Sequence, residues 1–246
     1  MLGWGLLEPL ADNEAMAASL APAGVNRPRV HTRRLWKARP PRRPARVLAT
    51  APDHIVVHHT ASPNLGDTSL AHAYDLSRAI QRFHMRTRGW DDTGQQLTIS
   101  RGGHVMEGRN RSLSAILSGR HVVGAQALDH NEHTIGIENE GTYSAANVPS
   151  ALWESLVDTC AWLCDAYELD PYEAIVGHRD YVATTCPGDV LYARLPGLRS
   201  DVARRLGLPP QVDGGIPERG ARVEKRAPAD PDEALDVSEL LAERRR

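Results

Sequence analysis

Apolar and polar positions along this chain follow two rhythms in turn, one of period two and one near 3.6. HIVVHHTA, residues 54–61, is β-branched and apolar and ends in polar groups, which predicts a buried strand. In SLAHAYDLSRAIQRFHMRTR, residues 69–88, Leu70, Ala73, Tyr74, Leu76, Ile80 and Phe83 recur near one helical face, and Gly89 supplies a stop. QQLTISR and HVMEGR read as two short strands joined at Gly102-Gly103 by a hairpin. Residues 110–132 show neither rhythm and are expected to form a long surface loop, the kind that is usually functional or disordered. HTIGIENEG, 133–141, predicts another strand, with Ile135 and Ile137 inward and the alternate groups exposed. A helix over 149–169, a strand over 173–177 and a helix over 187–206 complete the pattern, the last opening at Pro187 and Asp189. The order of elements is mixed α and β.

Composition sets the boundaries. Hydrophobic residues make up 41% of the 246 and charged residues 24%, both near the globular average, so a core can form. Residues 29–208 are expected to be one domain. Residues 1–28 have weak periodicity and read as a flexible leader; 209–246, rich in charge, Pro and Gly, read as a disordered tail in which Glu233 to Glu243 has a short amphipathic pattern. No apolar run approaches the ~18 residues of a membrane span, and MLGWGLLEPLADNEAM lacks the positive start of a signal peptide. With 29 Lys+Arg against 31 Asp+Glu, the charge of −2 gives no global drive toward nucleic acid. Locally the balance differs: nine basic residues and no acidic one lie between Arg27 and Arg46. That stretch is either a solvated arm packed down by Leu35 and Trp36 or a contact for an anionic polymer such as cell wall.

The candidate chemistry lies in IVGHRDYVATTCPGD, residues 175–189, where a short strand gives way to a loop carrying His178 and Cys186. Cys160 and Cys164, four apart on the helix of 149–169, read as small apolar core residues, which leaves Cys186 as the odd thiol. His31, His54, His72, His84, His104, His130 and His133 have no partner arrangement in the sequence that singles them out. His58-His59 differs, because adjacent histidines at a strand end point to opposite faces, so at most one faces a site. Together with His178 and Cys186 the pair offers two neutral imidazoles and one thiolate, the ligand count of a catalytic zinc that keeps one position open for water.

VVHHTASP, FHMRTRGWDDTGQQLTISRGGHVMEGR, HTIGIENEG and IVGHRDYVATTCPG, in this order, resemble the zinc-dependent N-acetylmuramoyl-L-alanine amidases and the related peptidoglycan recognition proteins. The similarity runs from about Val30, where HTRRLWKARPP resembles the family's opening segment, to about Leu206. It implies an α/β fold with a central mixed β-sheet flanked by helices and zinc at the floor of an open groove. The family's ligands match His58, His178 and Cys186, with His59 as a neighbour. The implied substrate is peptidoglycan, cut between N-acetylmuramic acid and L-alanine, and His59, Trp90, Gln95, Arg109 and the 110–132 loop are the candidate substrate contacts.

The chain departs from the family at three places and matches one of its branches at a fourth. Catalytic members commonly carry tyrosine where Gln95 stands, and some keep lysine where Thr184 stands. One branch uses a glutamate in an IGIE strand as acid and base, and Glu138 matches it. The segment that often reads GAH is here Gly124-Ala125-Gln126. Glu138 is therefore expected to shuttle the proton, Glu140 competes for the role by alternation, and the Thr184 hydroxyl is a candidate helper at the oxyanion. Asp180 either orients a ligand, or is a surface charge, or pairs with Arg179. Two other readings remain: a receptor of the same fold that binds peptidoglycan without cutting it, and a thiol hydrolase with Cys186 as nucleophile and His178 as base. Action outside the cell or at the cell wall is expected from the substrate, and the chain is expected to be a monomer.

Overall fold

The computed structural model describes residue 25 and residues 27–211, so the proposed leader and tail fall almost wholly outside the described residues. Six strands form the main sheet: β1 (Val30–His31), β3 (His54–His59), β4 (Leu97–Ile99), β5 (Val105–Glu107), β7 (Thr134–Asn139) and β8 (Ile175–Gly177). Their spatial order is β1-β5-β4-β7-β3-β8, and a separate pair joins β2 (Val47–Leu48) to β6 (His121–Val122). Pairing is parallel throughout the main sheet except for the β4–β5 hairpin, so the sheet is mixed as expected.

Both faces of this sheet are covered. Odd positions of the central strands, Ile55, Val57, Ile135 and Ile137, join one core with Leu152, Leu156, Cys160 and Leu163 of α3 (Ser150–Tyr167) and Leu198 and Val202 of α6 (Leu195–Arg205). On the opposite side Met106 of β5 packs with Trp36 and with Ala73 of α1 (Leu70–Arg86). The expectation that β7 alternates buried with exposed groups is therefore overturned, since all six of its residues are buried. A parallel strand with covers on both sides has no solvent face.

Helix α1 starts where Ser69 accepts a hydrogen bond from the His72 backbone N–H, a side-chain cap that satisfies one orphan donor. Its buried face is more polar than its apolar spacing implies, because His72, Ser77, Gln81 and His84 are buried beside Leu76 and Ile80, whereas Leu70, Tyr74 and Phe83 are half-buried. The helix expected over 187–206 is two helices, α5 (Asp189–Ala193) and α6, because Pro196 has no N–H to continue the ladder and starts α6 instead. Residues 173–174, expected in a strand, finish the one-turn helix α4 (Pro171–Ala174), which is capped by Asp170. The expected loop of 110–132 contains α2 (Ser112–Ile116) and β6, and buries His121, Gln126 and Ala127. Elements of five and two residues are too short to show a period.

The basic arm is stitched down. Trp36 is fully buried and donates Nε1–H to the Glu107 carbonyl at 2.9 Å, while Leu35 stays 40% exposed, against the expectation that both pack. Arg33 pairs with the fully buried Asp92 at 3.0 Å, Arg43 pairs with Asp91 at 3.0 Å, and Arg46 pairs with Glu132. Arg42 donates to the carbonyls of Gly89 and Met85. Among the described residues no helix is long and apolar enough to cross a membrane.

Candidate metal centre

His58 is the fifth residue of β3, one before its end, and stands in register with Glu138 of β7, which in turn pairs with Thr98 of β4. Residues paired across parallel strands project to the same face, so Thr98, Glu138 and His58 form one row. Gly177 of β8 pairs with Val57, and the chain then turns through a short 3-10 helix, His178–Asp180, which brings His178 beside His58 with ring centroids 4.3 Å apart. Cys186 comes back to the same place. Its sulfur lies 3.7 Å from His58 Nδ1, and the candidate donor atoms of His58, His178 and Cys186 all fall within 4.8 Å of one another. All three side chains are buried.

The eight-residue return from His178 to Cys186 is held by Arg179. Its backbone N–H and guanidinium donate to the Cys186 carbonyl at 3.2 and 3.4 Å, it also reaches the Thr185 carbonyl, and it pairs with Asp189 at 2.8 Å. Thr184 Oγ1 accepts the Cys186 N–H at 3.1 Å. Gly188, at φ +86°, closes the loop, and a Cβ there would lie 2.4 Å from the Tyr143 carbonyl carbon, so only glycine fits. Asp180 is exposed and accepts the Gly177 N–H at 2.8 Å and the Tyr192 hydroxyl at 2.6 Å, while Arg179 pairs with Asp189.

Gln126 decides how His58 presents itself. Its amide nitrogen donates to Thr134 Oγ1 at 2.8 Å, which turns its Oε1 toward His58 Nε2 at 2.6 Å. An amide oxygen only accepts, so Nε2 carries the hydrogen and the Nδ1 lone pair is left facing Cys186. Gly136 makes this possible, because a Cβ there would meet the Gln126 side chain at 2.7 Å. Burial, and then the neighbouring His178, hold the His58 imidazole well below its ordinary pKa, against the opposing Gln126 hydrogen bond. The imidazole is thus kept neutral, as a metal ligand must be. The donor set fits zinc: with Zn–N of 2.0–2.1 Å and Zn–S of 2.3 Å, a tetrahedral ion separates N from S by about 3.6 Å. The sequence reading placed Gln126 only as a departure in a groove segment and so missed this contact.

The remaining sequence candidates sit differently. His59 points to the other face, where its Nδ1 accepts the Tyr143 N–H at 3.2 Å, and it meets the Cys186 sulfur through its backbone, the N–H at 3.4 Å and the carbonyl at 3.9 Å. Its side chain leaves the strand on the face opposite to His58, because consecutive strand residues face opposite ways. Gln95 is 1% exposed and donates to Thr98 Oγ1 at 2.8 Å, so it underlies the row and forms no open groove wall. Trp90 is half-buried and stacks on His84 at 4.6 Å. Arg109 donates to the Thr93 carbonyl at 2.8 Å and lines, with Arg43, Arg46 and Asp91, a cleft of about 270 Å³ to which none of the three donors contributes. Glu138 is 6% exposed. Glu140 follows the end of β7, and its two oxygens accept from His72 Nε2 at 2.5 Å and the Arg101 N–H at 2.7 Å.

Residues 48–189 match the family model described as N-acetylmuramoyl-L-alanine amidase. The N-acetylmuramoyl-L-alanine amidase of Sus scrofa is 36% identical over 171 residues, which cover 68% of this chain and 27% of that enzyme. The chain thus spans about a quarter of the length of that relative. Peptidoglycan-recognition protein LB of Drosophila melanogaster is 28% identical over 194 residues, 79% of each chain. Its wild-type structure has the same fold, with a TM-score of 0.59 at 24% identity over 76% of this chain and 99% of that one. A crystal structure of tracheal cytotoxin bound to the ectodomain complex of peptidoglycan recognition proteins LCa and LCx matches at 26% identity and TM-score 0.58, over 67% of this chain and 92% of that one.

Proposed function

The chain belongs to the N-acetylmuramoyl-L-alanine amidase family, and on that premise we propose that it is a zinc-dependent hydrolase that cuts the amide bond between N-acetylmuramic acid and L-alanine in peptidoglycan. The observation that carries the reading is the meeting of His58, His178 and Cys186 at the ends of two adjacent strands, with the second nitrogen of His58 already taken by Gln126. Zinc held by two imidazoles and a thiolate supplies a Lewis acid that lowers the pKa of a water toward about 7.

The chain's own groups do the rest. Glu138, in register with His58, takes the proton of the attacking water and returns it to the leaving amine nitrogen, a role typically contributing about 10²- to 10⁴-fold. Glu140 is held by His72 and Arg101 and serves the frame. Thr184, having accepted the Cys186 N–H through its oxygen, keeps its hydroxyl hydrogen for the developing oxyanion. Trp90 and Arg109 are outlying candidates for holding glycan or peptide, and action at the cell wall follows from the substrate.

The test is to incubate the purified chain with peptidoglycan and zinc and to count new L-alanine amino termini. Release that stops with a chelator and returns with zinc is expected. Binding to the wall with no new amino termini would assign the chain to the receptors of this fold. Cleavage that persists in chelator would make Cys186 the nucleophile, since a thiolate attacking carbon needs no metal.

A further inference from the structure

Among the described residues a second group of metal-ligating side chains comes together, at the opposite end of β3: Asp53, His54 and His133, whose donor atoms also lie within 4.8 Å of one another. His54 and His58 are four residues apart on one strand, which at 3.2–3.4 Å per residue puts this group about 13 Å from the first. A single ion cannot serve both.

Two backbone facts build the group. The Asp53 N–H donates to the His133 carbonyl at 2.9 Å, and His54 pairs in register with Thr134, so the two segments are locked together by the sheet. Onto that frame both His54 Nδ1 and His133 Nδ1 converge on one oxygen, Asp53 Oδ1, each at 2.7 Å. Partial burial pushes the Asp53 carboxyl up, but the hydrogen bonds from His133 and His54 outweigh it and hold the group below its ordinary value, so it is an anion. Tyr181 packs against His130, His133 and His54, with centroids 4.1, 5.9 and 6.0 Å away, and limits the swing of all three rings.

His130 supplies what a ligating histidine needs behind it. Its Nδ1 lies 3.0 Å from His133 Nε2. With Asp53 holding a hydrogen on His133 Nδ1, His130 donates to Nε2; when Nδ1 gives up that hydrogen to bind a cation, Nε2 carries one and His130 Nδ1 accepts it. The imidazole therefore keeps a partner in either tautomer, the arrangement by which a second hydrogen bond orients a metal-bound histidine. Around a tetrahedral ion the donor atoms stand about 3.3 Å apart, so insertion asks each 2.7 Å contact to open by about half an ångström.

We propose that Asp53, His54 and His133, backed by His130, form a second, solvent-facing site for a borderline divalent cation of the zinc, nickel or copper kind. Two imidazoles and one carboxylate select such ions over magnesium or calcium, which prefer oxygen. Partial exposure leaves water to complete the coordination, so this ion exchanges faster than one at the buried trio.

The experiment is equilibrium dialysis of the full chain against micromolar zinc, with metal analysis. The wild type is expected to hold about two zinc ions, and Cys186→Ala, His54→Ala and His133→Ala about one each. The double variant Cys186→Ala with His133→Ala holds none. His133→Gln, which keeps a donor for Asp53, guards against a folding defect and should match His133→Ala. If His133→Ala, His133→Gln and the wild type hold equal zinc, the second site is overturned. If Cys186→Ala alone retains the wild-type amount while the His133 variants lose one ion, the buried trio fails and the second site stands.

Discussion

The chemistry turns on which atom of a side chain faces where, and one hydrogen bond sets this for His58. Replacing Gln126 with Leu removes the acceptor for Nε2–H while keeping similar volume, and zinc affinity is expected to fall about 10- to 100-fold, read by competition with a chromophoric chelator. Glu138→Gln keeps the shape but cannot take a proton; the amidase rate is expected to drop about 10²- to 10⁴-fold with zinc content unchanged. His84 gives a prediction about pH. Burial, followed by the charges of Arg88 and Arg109, lowers its pKa from 6.5 to about 3, and its Nδ1 accepts the Gly94 N–H at 3.1 Å. The unfolded chain therefore binds this proton from about pH 6.5 downward and the folded chain does not, so stability is lost as pH falls from about 6.5 toward 3. Between pH 6.5 and 5 that group removes up to about 2 kcal/mol. Urea unfolding at the two pH values should show a smaller loss for His84→Gln than for the wild type.

At the scale of elements, strand register does the positioning. The His58–Glu138–Thr98 row exists because β3, β7 and β4 pair in parallel, and a slip of one residue would turn His58 into the helix-covered core and His59 into the site. Gly136 belongs to the same argument, since the bare backbone of β7 lets Gln126 lie against it. Gly136→Ala is expected to push Gln126 off His58 and to weaken zinc as Gln126→Leu does, with the sheet intact by circular dichroism. The strands at 54–59 and 134–139 were legible because each carries three β-branched residues, Ile55, Val56 and Val57 in one and Thr134, Ile135 and Ile137 in the other. The division of the last helix follows from Pro196, whose effect on a helix opening at Pro187 depends on whether it falls inside the helix or at a new first turn, which the local pattern leaves open. The 110–132 segment was illegible for a different reason: its order comes from Asn131, whose side chain bonds Gln126, Ala127 and the Ala127 carbonyl, and from pairing of β6 with a distant β2.

At the scale of the whole molecule, an ion held by His58, His178 and Cys186 would tie β3 to the loop after β8 and so link metal to stability. Saturating zinc at about 100 times its dissociation constant for the His58, His178 and Cys186 site should stabilise the fold by about 2.7 kcal/mol, seen as a rise in Tm that chelator reverses and that is smaller in Cys186→Ala than in the wild type. The sequence by itself determined the residue types at the strand ends, the mixed order of elements and the family resemblance, because periodicity and motif spacing are properties of neighbouring residues. Only the tertiary structure decided that Glu140 is held by His72, that His59 faces away, that Gln126 backs His58, and that Asp53, His54, His130 and His133 meet. Each of those contacts joins groups whose partners are set by strand pairing and by which face a side chain leaves from, and neither is written in local pattern.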